Sequence, residues 1–298
     1  MESTTNMERK AQIFGRFALI SCFLTLSVTL ANAAQETEET SDAEEPNFTR
    51  LDTMEAIRGH RDDRYKKIAE GLASSSLSDE HQELLATAMS KMYLGVPVSS
   101  FTQSEREESS DEEPSESKSS WSVTDDGQIK HATESIVWGL NTPSPFVYLP
   151  PLPFNAATGR VLHESDDEAI FIFDFDMNMM AEAADDDPYG VAEKLKWVAE
   201  LAVGKRDQSP TSLVMKLEKP LRKRFLFKLT KFQMELHYSY VESCSGHALN
   251  RMTMEVDGSA IIVGRMYQLI ELAFTNIECA KPLRYLLPEE DESNFVQF

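Results

Sequence analysis

Hydrophobic residues alternate with polar residues through much of the chain, which predicts a fold dominated by strands. The run 168–178 (EAIFIFDFDMN) has the strongest strand pattern. Its aromatic residues share one face, while the other face carries two isoleucines and two aspartates: Phe171, Phe173 and Phe175 against Ile170, Ile172, Asp174 and Asp176. We expect this run to be a central strand that anchors the domain core through its three phenylalanines.

The same period of two recurs before and after this run. Residues 121–133 predict a hairpin around Asp126-Gly127, and 135–140 and 146–149 predict short strands. Further strands are predicted in 213–217, 225–240, 250–256 and 259–263.

Three local signals refine these strands. The apolar parity changes near Lys231, which predicts a bulge or a turn between two strands. Asp257-Gly258 predicts the turn of a hairpin. Residues 264–277 fit either a strand or a helix, and the preceding hairpin favours a long strand.

Helical spacing of apolar residues appears in two regions. Residues 51–94 predict two short amphipathic helices, separated near Gly71 and Ser74–Ser76, with Ser78 as the cap of the second helix. Residues 188–203 predict a third helix between a capping Asp187 and a terminating Gly204. The predicted fold class is therefore α+β: a small helical N-terminal arm, an acidic linker, and a mainly antiparallel β domain curled around one helix.

Residues 102–120 are rich in Ser and Glu and contain no apolar residue, which predicts a flexible linker. The expected domain plan then follows in chain order: signal peptide 1–33, disordered acidic segment 34–50, helical arm 51–98, disordered acidic linker 99–120, α+β domain 121–288 and acidic tail 289–298.

The N-terminus has the three parts of a secretory signal. Basic residues precede an apolar run over 17–30, and Ala31-Asn32-Ala33 supplies the small residues of a cleavage site. The alternative is an uncleaved anchor, although the apolar run is short for a membrane span. We expect export to a periplasmic or extracellular location, with no stable membrane span after signal cleavage.

Charge and cysteine content restrict the function classes. The 298 residues carry a formal net charge of −21, much of it in 35–49, 102–120 and 289–292. Nucleic-acid binding requires a basic surface, so it is not expected. Cys22 leaves with the predicted signal, and in an exported chain the remaining Cys244 and Cys279 are expected to form a disulfide.

The two aspartates at the end of the central strand provide a candidate catalytic pair. Asp174-x-Asp176 after an apolar strand resembles the first motif of the haloacid dehalogenase-type phosphotransferases. The resemblance covers about nine residues and implies a nucleophilic Asp174, an acid/base Asp176 and Mg²⁺. Asn178 stands where that family has Thr or Val, and a downstream acidic metal motif is absent from the sequence.

A cationic segment stands out in this acidic chain. Seven Lys and Arg residues fall within 216–231 and alternate with phenylalanines. They predict either a site for an anionic head group or acidic partner, or a solvated strand face that balances nearby carboxylates. The candidate ligand-binding residues are Lys216, Arg222, Arg224 and Lys228.

Strands with one apolar face around a helix resemble the architecture of exported lipid or lipoprotein carriers and of helix-grip lipid-binding domains. That analogy implies a non-enzymatic binder of an amphiphilic, lipid-like ligand or of an envelope protein partner. One alternative is an exported phosphatase-like hydrolase using Asp174 and Asp176. Another is a structural or adaptor protein acting through the helical arm and linker. No catalytic residue, metal ligand or cofactor is assigned.

Overall fold

The computed structural model describes most of the chain between residues 48 and 288. The described residues are 48–92, 94–110, 113–125, 129–131, 136–137, 144–146, 152–175, 195–223, 227–261, 264–288 and 296–297. Apart from Leu195 they belong to one compact unit, formed by Asp42–Asp176 and Lys196–Phe298. The predicted signal peptide lies outside the described residues.

Two helices form where the apolar spacing predicts them. Helix α1 spans Met54–Leu72 and α2 spans Asp79–Met89. The hydroxyl of Thr53 accepts a hydrogen bond from the Ala56 N–H at the start of α1, and Ser78 accepts one from the His81 N–H at the start of α2. The helices pack against each other through their buried apolar residues.

Seventeen strands are found among the described residues. In chain order they are β1 (Phe48–Leu51), β2 (Val96–Pro97), β3 (Ser99–Ser109), β4 (Ser115–Val123), β5 (Ile129–His131), β6 (Ile136–Val137), β7 (Leu152–Pro153), β8 (Arg160–Glu164), β9 (Glu168–Phe175), β10 (Trp197–Gly204), β11 (Ser209–Leu217), β12 (Leu221–Lys223), β13 (Phe227–Val241), β14 (Gly246–Ala260), β15 (Gly264–Cys279), β16 (Tyr285–Pro288) and β17 (Val296–Gln297).

Most of these strands join one antiparallel sheet. Its order is β6-β5-β4-β3-β15-β14-β13-β11-β10-β9-β8, and β12 pairs with β13. Helix α2 packs against β10 and β11 on one face of this sheet. The predicted α+β class with a mainly antiparallel sheet is confirmed. None of the helices in the described ranges is long and apolar enough to cross a membrane.

A small second sheet ties down both ends of the helical segment. Strand β16 pairs with β1, which precedes α1, and with β2, which follows α2. Tyr285 of β16 is buried and its hydroxyl donates a 2.8 Å hydrogen bond to the carbonyl of Cys244. Cys244 forms the predicted disulfide with Cys279. The helical segment is therefore connected directly to the disulfide region.

Several local predictions are confirmed. The central strand is β9, and Phe171, Phe173 and Phe175 are buried. The parity change near Lys231 is a bulge in β13, where the pairing with β14 shifts between Leu229 and Lys231. Residues 264–277 form the long strand β15 rather than a helix. Strands β4 and β5 form the predicted hairpin, whose turn residues 126–128 lie outside the described ranges.

The prediction of a disordered linker over 99–120 was wrong. Strands β3 and β4 occupy most of this segment, and β3 pairs along its length with β15. Pairing on both sides satisfies the backbone of β3 although its side chains are polar. Cross-strand ion pairs, including Arg106 with Glu271, offset part of the acidic charge. The adaptor hypothesis thereby loses its flexible linker.

The helix predicted over 188–203 is also corrected. Residues Trp197–Gly204 form strand β10, which is paired on both sides, and 188–194 lie outside the described residues. Nearly every side chain of β10 is buried, on both faces. Such a continuous apolar run matches helical and strand periods equally well, so spacing alone did not distinguish them. The helix that packs on the sheet is instead α2 of the predicted arm, and α1 packs against α2.

Asp257-Gly258 is not the hairpin turn. Both residues lie inside β14, and the chain turns between Ala260 and Gly264, where Gly264 has a φ of 87°. Gly258 is needed for another reason: a Cβ there would lie 2.9 Å from the carbonyl oxygen of Lys228, next to the bulge of β13. The Asp257 side chain pairs with Arg265 on the next strand.

We expect two glycine-to-alanine substitutions to have opposite effects on stability. Gly258→Ala should lower the free energy of unfolding by about 1–3 kcal/mol because β13 must move away. Gly59→Ala, in α1 with no atom within 4 Å of the added Cβ, should raise it by about 0.5–1 kcal/mol. Urea unfolding of both variants measures the difference. A neutral Gly258→Ala would contradict the close packing at the bulge.

Candidate functional site

The sheet has one face on which neighbouring residues align in long rows across its strands. Side chains opposite each other in antiparallel strands point to the same side. The first row begins at β9 and crosses eight strands to β4: Phe171, Leu201, Leu213, Leu236, Met252, Leu272, Glu105 and Ser117. We call the face that carries this row the apolar face.

A second row lies two residues further along each strand and has the same composition. It consists of Phe173, Ala199, Met215, Met234, Met254, Ile270, Glu107 and Ser115. Both rows are apolar over six strands and become acidic at β3 and hydroxylic at β4. The apolar members are all at most 9% exposed, whereas Ser115 and Ser117 are exposed. From β15 through β3 to β4, the side chains of this face therefore pass from buried and apolar to polar and solvent-exposed.

The change of polarity is marked by four side chains on β3 and β15, which we call the polar end: Gln103, Glu105, Glu107 and Gln268. Gln103 lies opposite Phe274, and the Gln268 Nε2 donates a 2.9 Å hydrogen bond to Glu107 Oε1. Both glutamines are 6% exposed, and the two glutamates are half-buried.

Burial at the polar end shifts the pKa of one carboxyl group and leaves two amide oxygens without a hydrogen-bond partner. It raises the pKa of the Glu105 carboxyl, and the negative charge of Glu107 raises it further. Within the part of the chain that the structure describes, the Oε1 atoms of Gln103 and Gln268 are buried without a hydrogen-bond partner. An unpaired buried amide oxygen costs about 1–3 kcal/mol. The polar end is therefore a locally unfavourable arrangement within an otherwise apolar, buried face.

Methionines supply the middle of the apolar face. Met215, Met234 and Met254 are consecutive neighbours in the second row, and Met252 lies beside them in the first. Their unbranched, polarisable side chains adapt to differently shaped apolar partners more readily than branched side chains do. This part of the face can adjust to more than one hydrocarbon shape.

Helix α2 is attached to the edge of this face by polar contacts at both of its ends. Near its start, the His81 ring lies 5.5 Å from that of Phe171, and its Nε2 is 3.2 Å from Glu164 Oε2. Lys205 donates to the other oxygen of Glu164 at 2.8 Å. Just beyond its end, the Lys91 ammonium donates to two carbonyls in the β10–β11 turn, at 2.7 Å each. These contacts hold α2 over β9–β11.

The predicted cationic residues do not lie on the apolar face rows. Lys216 lies next to the buried Met215 and pairs with Glu200 at 2.6 Å. Arg222 and Lys228 are opposite each other on β12 and β13, and Arg224 lies outside the described residues. The structure thus brings two of the four together. Their role in ligand binding is untested and stays a prediction.

Asp174 is exposed near the end of β9, on the opposite face from the three phenylalanines. Its backbone N–H donates to the Thr158 hydroxyl at 2.9 Å. Asp176 and Asn178, which the phosphotransferase resemblance also needs, lie outside the described residues. Among the described residues, no group of three or more His, Cys, Asp or Glu side chains is arranged to hold a metal ion.

The face opposite the apolar rows carries an open groove of about 630 Å³ over β3, β4, β14 and β15. Its two arginines are engaged in ion pairs: Arg106 with Glu108 and Glu271, and Arg251 with Glu271. Lys118 also lines the groove. Because the arginine charges are already compensated, we regard the groove as a weaker candidate for ligand binding than the polar end.

The polar end was missed in the sequence because its residues lie in the segment predicted to be a linker. A weak signal was present: Phe101, Gln103, Glu105 and Glu107 alternate with more polar or smaller residues, in phase with an apolar start. Their position beside the methionine-rich rows depends on pairing with β15, about 165 residues later in the chain.

Comparisons with known proteins give little similarity. No family model and no curated protein matches the chain. Among solved structures, the crystal structure of the LolA superfamily protein NE2245 from Nitrosomonas europaea is similar with a TM-score of 0.33 and 11% sequence identity. The similarity covers 67% of this chain and 93% of that chain.

A half-buried histidine near the Lys91 contact is expected to make stability depend on pH. Burial, followed by the Lys91 charge, lowers the pKa of His247 from 6.5 to about 4. The unfolded chain therefore binds this proton more tightly, so stability is lost as pH falls from about 6.5 to about 4. We expect His247→Gln to reduce the loss of unfolding free energy between pH 7 and pH 5, measured in urea.

The control for this prediction is His237→Gln, which changes a more exposed histidine on the neighbouring strand β13. This substitution should leave the difference in unfolding free energy between pH 7 and pH 5 closer to that of the unmodified protein. Equal effects of the two substitutions would contradict a specific contribution from His247.

Proposed function

We propose that this protein is a non-enzymatic binder of an amphiphilic, lipid-like ligand. The hydrocarbon part of the ligand contacts the methionine-rich part of the apolar face, and its head group lies at the polar end. The observation that carries this proposal is the composition of the two register rows. Each is apolar over six strands and then acidic and hydroxylic over two.

An amphiphile complements such a face for two physical reasons. Removal of the ligand's hydrocarbon from water contributes about 25 cal/mol per Å² of its own apolar area, and the rows, at most 9% exposed, must open to admit it. A polar head at the far end of the same molecule can then pair with buried oxygens that lack a partner in the free protein. A purely structural core gains nothing from unpaired amide oxygens, whereas a binding site does.

The proposal retains two expectations that come from the sequence. The N-terminal signal pattern supports action outside the cytoplasm, in a periplasmic or extracellular location. Arg222 and Lys228, opposite each other on β12 and β13, offer a second surface to which an acidic envelope partner would dock, whereas Lys216 is already paired with Glu200. The hydrolase alternative rests on Asp176, outside the described residues, and no described contact favours it.

Native mass spectrometry of the protein purified from its own compartment tests the proposal directly. The expected result is a co-purified species with the mass of a lipid-like molecule, released by organic solvent. A complementary measurement uses the uncharged fluorescent probe N-phenyl-1-naphthylamine, whose emission rises in hydrocarbon surroundings. Absence of both a retained species and probe binding would refute the proposal.

Substitution on the two faces of one strand should separate ligand binding from general effects. Met254→Gln places a polar side chain of similar length in the second row, so we expect probe affinity to fall by about fivefold to tenfold. Thr253→Gln, on the opposite face of β14, should leave it unchanged. Circular dichroism verifies that both variants fold. Equal affinities would contradict binding on the apolar face.

A further inference from the structure

The polar end presents hydrogen-bond acceptors to the apolar face. Glu105 and Glu107 lie in register beside Leu272 and Ile270, at the boundary between the apolar rows and solvent. Glu107 accepts the one described hydrogen bond within the group, from Gln268 Nε2. Because that bond uses the donor side of the Gln268 amide, its Oε1 is left as an acceptor.

The buried amide oxygens point to a ligand independently of the carboxylates. Gln103 and Gln268 are each 6% exposed, and in the described part of the protein their Oε1 atoms have no partner. Neither water nor a flexible surface side chain easily reaches such atoms. A donor brought by a ligand to the carboxylate pair would satisfy the oxygen of Gln268, whose amide is bonded to Glu107. Gln103 lies six residues further along the strands, about 20 Å away, and is outside the reach of the same head group.

The nearby cations are directed away from this group. Arg106 lies on β3 between Glu105 and Glu107, and therefore on the opposite face, where it pairs with Glu108 and Glu271. Lys118 lies opposite Ser104 in β4, again on that face. The described register neighbours of the two glutamates on β4 are Ser117 and Ser115. Two half-buried carboxylates thus remain without a described cationic partner on their own face.

We propose that the ligand carries a primary ammonium head group, bound by the carboxylates of Glu105 and Glu107 and by the amide oxygen of Gln268. This inference rests on the proposed function, since it assigns the head group of the same amphiphile. An ammonium has three donors and no acceptor, and it compensates the acidic pair. An anionic head would be repelled by both carboxylates and would leave the Gln268 oxygen unpaired.

The raised pKa of Glu105 implies a pH dependence for this proposed binding. Burial and the neighbouring Glu107 raise the pKa of Glu105. A bound cation would favour the ionised carboxylate and would therefore lower the pKa of Glu105. Ammonium binding should accordingly weaken as the pH falls and Glu105 becomes protonated.

Isothermal titration calorimetry with three twelve-carbon amphiphiles at pH 7 tests the head-group inference. The probes are dodecylammonium, dodecanoate and uncharged 1-O-dodecylglycerol, each kept monomeric, in 150 mM and 500 mM salt. We expect dodecylammonium to bind at least tenfold more tightly than dodecanoate. This preference should persist at high salt, because a buried pair is screened far less than the general attraction of an acidic protein for cations.

Substitutions identify the residues responsible. Glu105→Gln should weaken dodecylammonium binding about tenfold and leave dodecylglycerol binding nearly unchanged. Glu116→Gln removes the same charge from an exposed position on β4 and should affect neither probe. Gln268→Met should weaken dodecylammonium binding. Gln103→Met, about 20 Å away along the strands, should leave that binding unchanged and raise the thermal midpoint, because it removes an unpaired buried oxygen. Equal effects of the two substitutions on binding would contradict a role of Gln268 in the site.

The possible failures are distinguishable. If none of the three amphiphiles binds, the proposed function fails. If dodecylglycerol binds but dodecylammonium has no advantage, or its advantage disappears in 500 mM salt, the head-group inference alone is overturned. Equal effects of Glu105→Gln and Glu116→Gln would also overturn it. So would Ca²⁺ binding that is lost in Glu105→Gln and prevents dodecylammonium from binding, since the group would then be a metal site.

Discussion

The register of the long strands β13, β14 and β15 is the constraint on which the rest of the structure depends. A shift by one residue would move every methionine and leucine of the two rows to the opposite face. Two devices oppose such a shift. The bulge between Leu229 and Lys231 absorbs the change of parity in β13, and Gly258 lets the backbone of β13 approach β14 there. Both strands β3 and β11 take their positions from this central set.

At β3, the polar residues of the proposed binding site lower the stability of the sheet. The rows would form a more stable core if β3 continued the apolar pattern of β15. Instead, Gln103, Glu105 and Glu107 place polar groups beside Phe274, Leu272 and Ile270. Strand β3 nevertheless stays in the sheet, because its backbone is paired on both sides and Arg106 forms ion pairs on the opposite face. The apolar remainder of the sheet tolerates this local cost.

Local patterns predicted those parts of the fold whose cause is local. The phenylalanines of β9, the bulge of β13, the length of β15, the two capped helices and the disulfide all follow from neighbouring residues or from two cysteines. The polar strands β3 and β4 were missed because distant partners order them. Strand β10 was assigned as a helix because it is buried on both faces. The candidate site was missed for the first of these reasons: it exists only where β3 meets β15.

The position of β16 in the chain has a consequence for folding. Phe48 of β1 is opposite Pro288 of β16, about 240 residues later, and the same short strand also holds β2. During synthesis the two helices emerge early, but the strand that fixes both their ends emerges long after them. Contacts so distant in sequence slow folding, and exposed apolar surface in the waiting segment favours misassociation. The helical segment is thus among the first described elements to be synthesised and among the last to be fixed in place by its partners.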